Sequence, residues 1–202
     1  YCDDELHADG FALLTNVGGT YLADGSFGPV WDELDRRGAR VFVHPTSPPC
    51  FEQVAHGRPR PMIEFLFDTT RAIVDLVLSG TLAAHPNVEL IVPHGGATLP
   101  MVADRVSVFG VLLQVDEGVD VLADLARIHY DLAGYPLPRQ LDALLTITSP
   151  ENLHYGSDYP FTPEFAVERS KVRLSDVEAG ELVASLRANT ERLFPHLGDL
   201  SR

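Results

Sequence analysis

Short apolar runs and stretches of helical period alternate along the chain. Phe11, Ala12, Leu13 and Leu14 give the first run, and Gly10–Val17 reads as a strand ended by Asn16, Gly18 and Gly19. From Phe27 to Arg37 the apolar residues Phe27, Val30, Trp31 and Leu34 recur at helical spacing, with Gly38 as the stop. A strand over Ala39–His44 follows, then a loop rich in proline and glycine from Pro45 to Pro61. Met62–Leu82 has a broad apolar helical face, and Asp68 and Arg71 on it are spaced to pair. Leu90-Ile91-Val92 lies in a run without alternation, as expected of a strand buried on both faces, and it leads into Pro93-His94-Gly95-Gly96.

Beyond that strand, Pro100 opens a helix with Met101, Val102, Val106 and Phe109 apolar, since proline is tolerated in a first helical turn. Helical pieces are expected at Val119–Leu125 and Arg139–Ile147, and strands at Ile128–Leu132 and Leu153–Tyr155. A last helix is expected over Ser175–Leu193, with Ser175 as cap and Glu178 at the capping-box position. Strand and helix thus alternate five times with no hairpin signal, which predicts an α/β fold with parallel strands. An open doubly wound sheet and part of a (β/α)8 barrel both satisfy this pattern.

Composition narrows the partners. The 202 residues carry a formal net charge of −14, spread along the chain, which argues against nucleic acid or an anionic membrane as a partner. No apolar run reaches membrane-spanning length. Cys2 and Cys50 form neither a metal-type spacing nor a disulfide framework. The first residues have no signal-peptide pattern, so a cytoplasmic location is expected. The chain does not begin with methionine, and the natural start is expected to differ. There is no Gly-x-Gly-x-x-Gly after the first strand and no phosphate-binding Walker loop.

Three predicted strands end in polar residues suited to chemistry: His44-Pro45, His94-Gly95-Gly96 and Gly156-Ser157-Asp158. In parallel α/β folds the site lies at the carboxyl ends of the strands. A single histidine there is ordinarily a local hydrogen-bonding residue, and an aspartate after Gly-Ser a turn former. Their coincidence at three strand ends points to one site. Imidazole and carboxylate suit zinc, manganese or a similar divalent ion. His7, His56, His85, His129, His154 and His196 are not assigned to it.

The chain resembles the amidohydrolase-related family, in the branch of 2-amino-3-carboxymuconate-6-semialdehyde decarboxylase and the hydroxybenzoate-type decarboxylases. The resemblance is carried by His44-Pro45, Phe67-Asp68-Thr69-Thr70-Arg71-Ala72, His94-Gly95-Gly96-x-x-Leu99-Pro100, Tyr130-Asp131 and Gly156-Ser157-Asp158-Tyr159-Pro160-Phe161. It implies a (β/α)8 TIM-barrel fold with one divalent metal, zinc in most relatives and manganese in some. His44 and Asp158 would be metal ligands, and His94 the acid/base beside the metal. Arg105 matches an arginine that some relatives insert into a neighbouring subunit's site to bind substrate, so a homodimer is expected.

The family's barrels begin with a strand carrying His-x-His or Glu-x-His, and no such pair occurs here. The expectation is therefore a single incomplete domain over residues 1–202, the C-terminal part of a barrel from about strand 4 to strand 8. Either the natural protein is longer or a partner completes it. The resemblance implies a metal-dependent decarboxylase of a small carboxylated aromatic or unsaturated acid. Metal-dependent hydrolysis of a lactone, ester or amide remains open, as does an inactive truncated remnant or partner subunit.

Overall fold

Backbone pairing places the long-range strands in chain order, and this decides between the two architectures. The computed structural model describes residues 1–115, 118–137, 139–176 and 180–196. Its elements are β1 (Phe11–Leu14), β2 (Asn16–Val17), β3 (Thr20–Tyr21), α1 (Gly28–Arg37), β4 (Arg40–His44), α2 (Phe51–Val54), α3 (Glu64–Leu78), α4 (Thr81–Ala84), β5 (Glu89–Val92), α5 (Leu99–Leu113), α6 (Val121–Arg127), β6 (His129–Asp131), α7 (Arg139–Leu144), β7 (Leu153–His154), α8 (Glu164–Asp176) and α9 (Gly180–Leu193). The main sheet runs β1-β4-β5-β6-β7, each pair parallel. A doubly wound sheet reverses its order at a switch point, whereas this one advances steadily, as a barrel wall does.

The two faces of the sheet differ accordingly. Along β4, Val41 and Val43 are fully buried, and they join a core with Leu90, Val92, Tyr130 and Leu153 of the sheet and Ile73, Leu76, Leu99 and Leu144 of the helices. Burying each such aliphatic side chain contributes about 1.5–3 kcal/mol. The alternate residues Ala12, Phe42, Ile91, Asp131 and His154 face the other way and line a cavity of about 380 Å³ on the inner wall.

Several predicted boundaries shift. The first strand ends at Leu14, and a hairpin follows it: β2 and β3 pair antiparallel across Gly18-Gly19, both with positive φ. Strands of two residues are too short for alternation to register, although the Gly-Gly turn is itself a hairpin signal. The predicted Met62–Leu82 helix begins at Glu64 and breaks at Gly80, which adopts φ +71°. Asp120 caps α6 by accepting from the Ala123 amide at 3.0 Å. Helix α8 was not predicted, and Ser175 lies inside it and is not the cap of the next helix. Glu178 falls outside the described residues.

The inner wall also carries a buried histidine pair. His129 Nδ1 and His154 Nε2 are 2.9 Å apart, His129 Nε2 lies 3.1 Å from Glu89 Oε2, and His154 Nδ1 lies 3.2 Å from Thr190 Oγ1 on α9. Burial, with His129 and Arg192 adding to it, lowers the His154 pKa from 6.5 to about 4. Unfolded chains therefore take up this proton at higher pH than the folded protein does. The stabilisation is complete above pH 6.5 and is lost as the pH falls from 6.5 towards about 4. Urea midpoints should decline across that window, and His154→Gln should flatten the decline relative to the parent.

Candidate active site

His44, His94 and Asp158 come from three strand ends and line one cavity of about 480 Å³ with Pro61, Met62, Phe65, Leu66, Gly134, Tyr135, Phe161 and Thr162. Its size is that of a small-molecule site. His44 closes β4, and its Nδ1 lies 2.8 Å from the Pro45 carbonyl oxygen. A carbonyl only accepts, so Nδ1 carries the proton and Nε2 keeps its lone pair. That is the tautomer a metal-ligating histidine needs. The edge of the His44 ring meets His94, with centroids 6.4 Å apart.

His94 follows β5 in a left-handed turn, with φ +58° at His94, +61° at Gly95, +73° at Gly96 and +55° at Ala97. Left-handed backbone costs a residue with a side chain about 1–2 kcal/mol. Glycine relieves two positions, and space requires it there as well. A Cβ on Gly95 would come within 2.8 Å of Gln140, and one on Gly96 within 3.0 Å of Tyr130. The His94 amide donates to Asp131 Oδ1 at 2.9 Å, and Asp131 also accepts from the Ala133 amide at 3.0 Å. The Nδ1 atom of His94 is buried and has no hydrogen-bond partner among the described residues. Burial lowers the His94 pKa, while Asp131 and Asp158 pull it back up. Burial raises that of Asp131, against the amides of Ala133 and His94.

Asp158 lies beyond β7 with φ +58°. Its carboxylate accepts from the Thr162 hydroxyl at 3.0 Å, and its carbonyl from the Thr162 amide at 2.7 Å. Among the described residues, no group of three or more His, Cys, Asp or Glu side chains is placed to hold a metal ion. His44 and Asp158 thus fit a divalent ion in chemistry and tautomer and supply two donors of a set. Arg105 is not at this cavity; it stacks over Phe109 on the exposed side of α5, 4.4 Å from the ring centroid.

The segment after β1 and the β2–β3 hairpin are pinned by Asp68, which is fully buried. It accepts from the Thr15 hydroxyl, from Asn16 Nδ2 at 3.0 Å and from the Tyr21 hydroxyl at 2.5 Å. The predicted Asp68–Arg71 partnership gives way to this set. Burial and the neighbouring Asp68 push the Tyr21 hydroxyl up to about 12, so it stays protonated and donates. Thr15 Oγ1 also accepts from the Thr46 amide at 3.0 Å, next to His44-Pro45. Sequence reasoning gave Asp131 no role and did not single out Gln140. A strand-end carboxylate was a usable signal for the first. A glutamine opening a helix gave none for the second.

Comparison with known proteins places this geometry in context. The amidohydrolase (Amidohydro_2) family model matches residues 1–196. A 6-methylsalicylic acid decarboxylase of Aspergillus aculeatus is 35% identical over 98% of this chain and 63% of its own length. The crystal structure of an amidohydrolase II protein superimposes with a TM-score of 0.88 at 32% identity, covering 94% of this chain and 62% of that one. A manganese complex of 5-carboxyvanillate decarboxylase from Novosphingobium aromaticivorans shares the fold with a TM-score of 0.81 at 19% identity, over 96% of this chain and 58% of that one. This chain therefore spans a little over three-fifths of the length of its 6-methylsalicylic acid decarboxylase relative.

Proposed function

Because the chain belongs to the amidohydrolase family, we propose that its cavity serves the metal-dependent, non-oxidative decarboxylation of a small carboxylated aromatic acid. The observation that carries this reading is the convergence of His44, His94 and Asp158 on one cavity at the carboxyl ends of parallel strands. The name of the Aspergillus aculeatus relative supports the substrate class. So do the apolar side chains of Phe65, Leu66 and Phe161 in the lining of the cavity.

A divalent ion held by His44 Nε2 and the Asp158 carboxylate, zinc or manganese, would hold the substrate's oxygens and stabilise charge on them. The protein's own part is positioning and proton handling. Phe65 and Phe161 line the cavity and offer apolar contact to a ring. His94 delivers a proton to the ring carbon as its bond to the carboxylate breaks, the electron pair of that bond taking up the proton and carbon dioxide leaving. Water at the cavity mouth then reprotonates His94. The exposed apolar side chains of α5, Met101 at 77% and Leu112 at 68%, support a homodimer through that face, with Arg105 on it.

Incubating the purified chain with 6-methylsalicylic acid should release carbon dioxide only after zinc or manganese is added, and chelation should stop it. His44→Ala or Asp158→Asn should weaken metal binding by about 10- to 100-fold or more, read by metal titration. Opening of an aryl lactone without carbon dioxide release would favour the hydrolytic alternative. A chain that binds neither ion and stays inactive would favour a partner-subunit role.

A further inference from the structure

The turn that carries His94 is held from outside, because its own backbone does not favour it. Residues 94 to 97 all have positive φ, and two of them, His94 and Ala97, have side chains. Within the turn, Gly96 donates to the Pro93 carbonyl at 3.2 Å and Ala97 to that of His94 at 3.0 Å. Three side chains grip it. Asp131 takes the His94 amide at 2.9 Å, and Thr70 Oγ1 takes the Thr98 amide at 3.1 Å. Gln140, near the start of α7, supplies the third grip. Its Nε2 lies 2.6 Å from the His94 carbonyl oxygen, 3.0 Å from that of Ala97 and 3.3 Å from that of Gly95.

These grips are not equivalent. Asp131 also caps Ala133, and Thr70 also bonds the Leu66 carbonyl at 2.8 Å and the Thr98 hydroxyl at 2.6 Å. The Gln140 amide reaches the carbonyls of three of the four left-handed residues. Three carbonyl dipoles converging on one point repel each other unless a donor sits there. The contact is tight: a Cβ on Gly95 would lie 2.8 Å from Gln140 Cδ. We infer that Gln140 is the positioning residue for His94: by closing three carbonyls of the turn under one amide, it sets the direction in which the imidazole enters the cavity. The inference rests on the proton role proposed for His94.

Two substitutions separate donation from packing. Gln140→Met keeps the length and loses the donors, while Gln140→Glu sets a carboxylate against the same carbonyls. Turnover of 6-methylsalicylic acid by the metal-loaded chain is read beside amide hydrogen exchange, which needs no turnover. Gln140→Met should lower kcat by about 10- to 100-fold, with KM within about two-fold of the parent. Exchange at Gly96 and Ala97 should rise on the order of ten-fold, with the amides of residues 141–144 unchanged. Gln140→Glu should exceed it in both readouts. Faster exchange confined to α7, or parent-like kcat in both variants, would overturn the inference. Parent-like turnover in His94→Ala marks a different failure, that of the proton role itself; the inference alone fails when His94→Ala is inactive and Gln140→Met is not.

Discussion

His94→Ala is expected to slow carbon dioxide release from 6-methylsalicylic acid by about 10²- to 10⁴-fold, the usual range for losing a positioned general acid, while leaving the bound metal in place. The ring is delivered to the cavity by a strained turn, and such strain persists where the surrounding structure over-determines it. Its Nδ1 is buried without a partner among the described residues, which leaves Nε2 for the proton role proposed for it. His44 differs in this respect, because its Nδ1 is committed to the Pro45 carbonyl. That contrast supports the proposed division of roles, His44 as ligand with its tautomer fixed by its neighbour and His94 as proton carrier. Metal analysis of the variant checks the assignment. An inactive variant that has also lost its metal would make His94 a third ligand, which its 6.4 Å ring spacing from His44 would then explain.

Asp68→Ala should destabilise the fold by about 3–4 kcal/mol, because it strands donors that were arranged around a buried carboxylate. For a chain of this size that lowers Tm by roughly 10 °C. Thr15, Asn16 and Tyr21 come from the end of β1 and the hairpin behind it, so the damage should concentrate there. Thr15 and Asn16 also hold the backbone of Thr46 and Ser47, just after His44. The folded fraction of the variant should therefore bind metal more weakly. Thermal denaturation gives the first quantity and metal titration the second. Tyr21→Phe, which removes one donor and leaves the carboxylate two others, should cost about 1–2 kcal/mol. Equal stability of Asp68→Ala and the parent would show that water replaces the carboxylate without penalty.

The alternation of apolar runs with helical periods was enough to fix parallel strands, because a strand buried on both faces and an amphipathic helix leave different local signatures. It was also enough to place His44, His94 and Asp158 at strand ends, since each follows directly or closely on such a run and a proline or glycine punctuates it. The cavity brings together residues identified in this way. Periodicity reports which face of an element is buried and is silent on which strand lies beside which. The choice between a doubly wound sheet and a barrel wall therefore waited for the order β1-β4-β5-β6-β7. The same limit hid the partners of Asp68, which lie 47 to 53 residues away in sequence, while local spacing suggested Arg71. It hid Gln140 as well, which meets the His94 turn across 46 residues. The sequence by itself determined the strands of the main sheet, most of the helices between them and which polar residues stand at the strand ends. Tertiary structure decided the order of the strands, the left-handed turn of His94 and the side chains that hold it, because each depends on contacts between residues far apart in the chain, whose energies no local pattern encodes.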